Sequence, residues 1–452
     1  MKNNILKFTA CLLGILSFSS CENYLEPELS PDKIFTEDVF ANETTASAAL
    51  YGIYADFMLN RDPTSISNGG LSVFGGLCSD ELFDFSLQYT PYNKNEVPLD
   101  DFGPVYNFWT TSYKLIYSAN AILEGVEKSN LKESFKKQVM GEVYFIRAFN
   151  HFYLQQIYGN IPIINTTDYT VNAVKKQNTP EEVFAFVLED LKKAASLLTD
   201  TYPTADKLRP NRHVVQALLA RVYLYHKDWA NARDNATAVI NGGYEIQSDL
   251  TQVFAKNSSE TIWELMPSNL ISTSVGEATW FTPGGQPNYT LTDAFFSTIE
   301  SGDKRRQQWV GNIDYLGTTY YFPNKYDPAG GQYSVIFRLS EQYLIRAEAH
   351  AELNNLTAAK SDLNKIRVLH GDLGEYSGPD TKNDIVDAIL QERKAEYFGE
   401  WGHRWFDLKR TGKIDAVLGA LKPTTWKSTD VLWPIDAKEL KLNPFLKQND
   451  GY

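Results

Sequence analysis

Residues 212–242, RHVVQALLARVYLYHKDWANARDNATAVING, decide the fold. Apolar residues recur along them at three- and four-residue steps, the signature of amphipathic helix. Ala220 and Ala232 stand 12 residues apart, and residues 335–370, VIFRLSEQYLIRAEAHAELNNLTAAKSDLNKIRVLH, repeat the interval with Ala347 and Ala359. Small residues at that spacing recur in tetratricopeptide-type hairpins, because two helices approach closely where neither carries a bulky side chain. Tyr223, three residues after Ala220, stands where that repeat commonly carries tyrosine. The glycines after Asn241 are helix stops.

Working outward, residues 43–59, 105–129, 131–159 and 179–200 show the same helical periodicity, and Ala148 offers a third hairpin arm. Thr179-Pro180-Glu181-Glu182 reads as a helix start, a cap followed by proline and two acids. The fold class is therefore mainly α: a tetratricopeptide-like hairpin scaffold with long loop-rich insertions and a few short strands. One domain is expected over residues 21–452, with helical scaffold at 35–60, 105–242 and 335–452. Between these lie two loop-rich segments, 61–104 and 243–335, the second with strand-like TIWELM (261–266) and TTYYFP (318–323). Long loops on a rigid frame commonly carry binding function, so both are expected to face ligand.

The first residues read as a leader. Lys2 and Lys7 precede an 11-residue apolar run, Phe8–Phe18, too short for a membrane span. The run ends in Phe18-Ser19-Ser20-Cys21, which is similar to a bacterial lipobox, with Phe18 where leucine is usual. Residues 1–20 are thus expected to be removed and Cys21 acylated, which makes lipid the membrane anchor. Cys11 goes with the leader and Cys21 with the lipid, leaving Cys78 without an intramolecular disulfide partner. Loss of Lys2 and Lys7 takes the net charge from −13 to −15. Such a surface makes nucleic acid, anionic lipid headgroups and polyanionic glycans poor partners unless a local basic patch overrides the global sign. A neutral ligand fits better.

Several blocks resemble one family. GEVYFIRAFNHFYLQQIYGNIPII (141–164), RLSEQYLIRAEAHAEL (338–353), ILQERKAEYFGEWGHRWFDLKRTGK (389–413) and WPIDAKELKLNPFLKQNDGY (433–452) are similar to segments of the SusD/RagB family of surface nutrient-binding lipoproteins. CENYLEPELSP (21–31) resembles that family's mature N-terminus. The resemblance implies an outer-membrane lipoprotein facing outward, which acts as a lid on a SusC-like TonB-dependent barrel and captures ligand for import; the loop aromatics favour oligosaccharide as that ligand. The family also contains peptide-capturing members, and its binding residues vary with ligand, so none transfers by position.

Glu392, Glu396 and His403 look like acid, base or metal ligands, yet no HExxH spacing accompanies them and the six histidines are scattered. Glu392, Arg393, Arg404, Asp407 and Arg410 are read instead as one ion-pair network locking the C-terminal segment. No metal, cofactor or catalytic residue is expected. A glycan would stack its C–H faces on loop aromatics and exchange water for amide and carboxylate partners. The candidates are Phe83, Tyr89, Tyr92, Trp280, Phe281, Tyr289, Trp309 and Tyr315, two or three of which are expected to contact ligand, with Asp80, Asn93 and Asn288 bonding hydroxyls. Trp109, Tyr113 and Tyr117 recur every four residues and read as a packing stripe, and Trp263, Tyr326 and Trp405 as structural. Peptide capture would instead use the loop amides of Asn68, Asn93, Gln286 and Asn288. A glycoside-cleaving enzyme is the remote alternative, since 56 acids leave room for a carboxylate pair.

Overall fold

A computed structural model describes residues 36–58, 66–99, 103–267 and 274–452, so the leader and Cys21 lie outside the described residues. After a single turn at Thr36–Val39, the described residues form α1 (Glu43–Met58), α2 (Gly70–Cys78) and β1 (Leu82–Asp84). A helical layer follows: α3 (Pro104–Lys128), α4 (Glu133–Tyr158), the one-turn α5 (Tyr169–Asn172), α6 (Pro180–Leu197), α7 (Arg212–Tyr225) and α8 (Trp229–Ile240). The second loop-rich segment holds β2 (Thr261–Leu265), α9 (Gly276–Phe281), β3 (Tyr289–Leu291), β4 (Val310–Tyr315), β5 (Thr318–Pro323) and β6 (Ser334–Arg338). Helices then resume with α10 (Leu339–Glu352), α11 (Leu356–Leu369), α12 (Lys382–Tyr397), α13 (His403–Arg410) and α14 (Ala437–Leu442). The mainly helical class is the observed one, and TIWEL and TTYYFP are strands.

The alanine pairs mark two equivalent hairpins, α7–α8 and α10–α11. Ala220, Ala232, Ala347 and Ala359 are all fully buried. The two turns correspond residue for residue. Lys227 and Asn354 take positive φ of 61° and 60°. The next residue's N–H, on Asp228 and on Asn355, then reaches back to Tyr223 O at 2.9 Å and His350 O at 2.8 Å. This closes each helix with a Schellman-type bond and reverses the chain. Ala148 is likewise buried on α4, but α4 packs against α6 across the long connection 159–179, so that arm is not a tight hairpin. Thr179 and Glu182 form the capping box that starts α6.

Two apolar cores hold the helices. The larger is centred on α4 and Trp263, whose indole meets Phe57, Phe145 and Phe149 edge to face. The smaller joins α10, α11 and α12 through Leu344, Leu363, Ile385 and Ile389. Each fully buried aliphatic side chain contributes about 1.5–3 kcal/mol. Trp109 is in the core and packs on Tyr113 at 4.9 Å, but Tyr117, expected in the same stripe, is half exposed. Trp263, Tyr326 and Trp405 are buried. Gly402, at φ 66°, lies so close to Gly75 that a Cβ on the latter would stand 2.5 Å from its Cα, which seats α13 against α2.

The C-terminal charges form three groups, not one network. Arg393 and Arg410 share Asp407 at 2.8 Å each, and Arg410 continues to Glu348 at 2.7 Å. Arg404 leaves that group for Asp80, at 2.6 Å. Glu392 joins the largest group through Arg305, at 2.6 Å. There, five carboxylates (Glu260, Asp303, Glu392, Glu396, Glu400) face four bases (Arg305, Lys325, Arg338, His370), almost all out of solvent. Burial opposes ionisation of Glu396, but His370, Arg338 and Arg305 outweigh it and hold the carboxyl well below its ordinary range. Burial likewise opposes protonation of His370, yet Glu396 and Glu260 carry it up to about 9.

Candidate functional site

Two pairs of short strands build a partly exposed aromatic face in the loop-rich segments. β1 pairs antiparallel with β3, setting Phe83 opposite Thr290 and Asp84 opposite Tyr289. β4 and β5 form a hairpin with Ile313 opposite Tyr320 and Tyr315 opposite Thr318. Because side chains alternate along a strand and cross-strand partners share a face, Ile313, Tyr315 and Tyr320 project together. Phe85, just past β1, meets Tyr315 and Tyr320 edge to face, at ring separations of 5.6 and 5.0 Å. The hairpin is thereby joined to the β1–β3 pair.

The bend between Phe85 and Tyr89 is held rather than loose. Asp84 accepts from Ser86 Oγ at 2.6 Å and from Tyr89 N–H at 2.5 Å, while Phe85 N–H donates to Asn288 O at 2.9 Å. Asn288 also donates its amide to Trp280 O at 2.9 Å, so the loop 280–288 is tied to the same platform. Phe83 is exposed, and Phe85, Tyr89, Trp280, Tyr315 and Tyr320 are partly so. Gln88, Gln286, Asn312, Asp314, Thr318 and Thr319 supply exposed polar groups around them. Residues 83–89, 280–288 and 311–321 contain no lysine or arginine.

The structure sorts the sequence candidates. Phe83, Tyr89, Trp280 and Tyr315 lie on the platform. Tyr92, Phe281, Tyr289 and Trp309 are core residues, at most 3% exposed, and present no face to a ligand. Tyr92 packs on Trp433, and Trp309 spends its indole N–H on Leu250 O at 3.2 Å. Asp80 is bonded to Arg404 and to Lys394, 3.3 Å away. Although burial pushes the other way, these bases hold its carboxyl low, as a structural anion. The Asn93 amide serves Leu77 O and Leu82 O. Phe85 and Tyr320 were missed, yet their signal is in the sequence: period-two alternation through TTYYFP and through LFDF puts both on the face carrying Tyr315 and Phe83 respectively.

Among the described residues, Glu260, His370 and Glu396 bring ligand-type atoms within 4.8 Å of one another, as a metal site would. The cation position is already filled, because the Arg338 guanidinium bonds both carboxylates and Arg305 bonds Glu396 at 2.8 Å. Glu392, Glu396 and His403 are buried members of ion groups or core, and burial first, then nearby arginines, keeps His403 neutral.

Residues 79–224 match a family model described as SusD-like, starch-binding associating with outer membrane, and residues 278–452 match the SusD family model. The chain belongs to the SusD-like family. Two SusD-like proteins of Formosa agariphila align at 23% identity over 97% of both chains and at 26% over the full length of both. A SusD superfamily structure from Bacteroides vulgatus shares the fold with a TM-score of 0.80 at 22% identity, covering 91% of this chain and 99% of its own. A laminarin-binding SusD-like protein does so with a TM-score of 0.78 at 23% identity, covering 91% of this chain and all of its own. No helix among the described residues is long and apolar enough to cross a membrane.

Proposed function

We propose that this SusD-like protein is a cell-surface lipoprotein, anchored through Cys21, that captures neutral oligosaccharide on the platform of Phe83, Phe85, Tyr315 and Tyr320. It then delivers the ligand to a SusC-like TonB-dependent barrel in the outer membrane. The observation that carries the reading is a set of partly exposed rings, held by two strand pairs, in segments free of basic side chains. Flat rings match the C–H faces of pyranoses, and the absence of a base disfavours uronic or sulfated chains. The family membership and the laminarin-binding relative support carbohydrate as the ligand class. The peptide reading loses three of its four amides, because Asn68, Asn93 and Asn288 bond backbone carbonyls within the fold.

Calorimetry of residues 22–452 against neutral oligosaccharides, acidic oligosaccharides and mixed peptides tests this, with product analysis on the same samples. The expected result is saturable heat with one neutral class and no cleavage. Tyr315→Ala and Tyr320→Ala should each weaken binding about 3- to 10-fold, the worth of one aromatic contact, without lowering Tm appreciably. Heat with peptides alone, or affinity unchanged in both variants, would overturn the assignment. For the anchor, Cys21→Ala should move the protein out of the outer-membrane fraction in cells lacking the barrel.

A further inference from the structure

A second exposed face differs from the platform in its charge. Fourteen large apolar or aromatic residues are exposed among the described residues, and five of them fall in two short stretches: Tyr169, Val171 and Val174, and Leu442 and Phe445. Tyr169 is 79% and Leu442 73% exposed, values that core packing does not explain.

These stretches are distant in sequence but fastened together. The Asn443 side chain donates to Lys175 O at 2.8 Å, and Lys447 N–H donates to Gln177 Oε1 at 2.8 Å. Gln177 Nε2 returns the bond to Lys447 O at 3.2 Å, and the Lys176 ammonium lies 5.8 Å from the Phe445 ring centre.

The charge of this face opposes that of the whole chain. Lys175, Lys176, Lys438, Lys441 and Lys447 lie on its two segments. The acids of α14 turn inward: Asp436 is buried and caps Lys438 N–H, and Glu439 accepts the Trp109 indole N–H at 3.1 Å. The exposed acids are Asp168, which caps α5, and Asp450. A cationic rim around protruding leucine, valine and aromatic side chains thus sits on a protein of net charge −13.

We propose that this face rests on a lipid surface bearing phosphate headgroups, a second membrane contact besides any acyl anchor. Every cation on it is lysine, whereas protein interfaces favour arginine and are depleted in lysine. Lysine stems lie along apolar surface while their ammonium groups reach outward, which suits an apolar residue at headgroup depth beside a phosphate. Such a contact would hold the body at a fixed orientation, since one face is specified and the platform is elsewhere in the chain.

The test is co-sedimentation of residues 22–452, which keep every buried residue of both cores, with vesicles of phosphatidylglycerol and phosphatidylcholine or of phosphatidylcholine alone. Binding is expected on the mixed vesicles only, weakened by salt. A lysine near an anionic surface is worth about fivefold, so Lys441→Glu with Lys447→Glu should cost at least about 25-fold. Leu442→Ser with Phe445→Ser should also release the protein. Both pairs should leave the platform's ligand heat unchanged, which separates this result from the glycan assignment. Equal sedimentation with both vesicle types, none with either, or variants that bind as the parent does would overturn the proposal. The last two outcomes would turn the face over to a protein partner.

Discussion

The C-terminal block and the aromatic platform treat charge in opposite ways. The block buries five carboxylates and four bases in mutual contact, with Arg305 2.6 Å from Glu392 and Arg338 3.2 Å from Glu260. The platform leaves its rings partly exposed and carries no base at all. The residues with the most catalytic appearance therefore have no free valence, and the plainest residues have the free surface. A buried ion group is costly to break, because removing one member strands the others away from water. Truncating an exposed ring strands nothing.

The largest effect should come from the hub of the block. Glu396→Ala leaves Arg305, Arg338 and His370 facing one another without their shared acceptor. A loss of about 3–5 kcal/mol is expected in denaturant unfolding. A loss below about 1 kcal/mol would mean that water or a shifted acid replaces the carboxylate, and the contrast between the two regions would fail.

His370 gives the contrast a pH signature. Its protonated form is favoured in the fold, with the value raised from 6.5 to about 9. The stabilisation is therefore complete below about pH 6.5 and is lost as pH rises through about 9, amounting to about 3 kcal/mol. Buried Glu81, Glu264 and Glu277, each pushed up to about 7 chiefly by burial, also weaken the fold as pH rises. Comparing the unfolding free energy of the parent and His370→Gln across pH isolates the histidine. The difference should shrink between about pH 6.5 and 9. A difference independent of pH would place the proton elsewhere in the group.

The scaffold was legible because helix packing writes itself in small-residue spacing and apolar periodicity, as Ala220, Ala232, Ala347 and Ala359 do. The candidate site was half legible. Texture located the loops, and Phe83, Tyr89, Trp280 and Tyr315 came with them. Loop texture does not say which way a ring points, so Tyr92, Tyr289 and Trp309 passed as platform residues while anchoring the core. Phe85 required strand alternation to be read inside a loop-rich segment, and Tyr320 required it to be carried along the strand-like TTYYFP. The partners of Asp80 are more than 300 residues away in sequence, at Lys394 and Arg404. No local pattern announces such a pair.

The smallest effect lies at the tip of the hairpin that carries Tyr315 and Tyr320. Leu316 and Gly317 connect β4 to β5 with φ of 50° and 85°, a two-residue turn of the I′ kind. Glycine suits its position, but leucine in the left-handed region costs about 1 kcal/mol, and its side chain, 90% exposed, recovers none of this by packing. Leu316→Asn should therefore stabilise the protein by up to about 1 kcal/mol in urea, because asparagine is the residue this turn prefers. Charge plays no part in that gain, so it should be the same at low and high salt, unlike the lysine-rimmed face. If the variant is instead less stable, Leu316 makes a contact that isolated strand geometry does not reveal. If it is more stable but binds ligand less well, the leucine is kept for the ligand, and the platform extends to the tip of the hairpin.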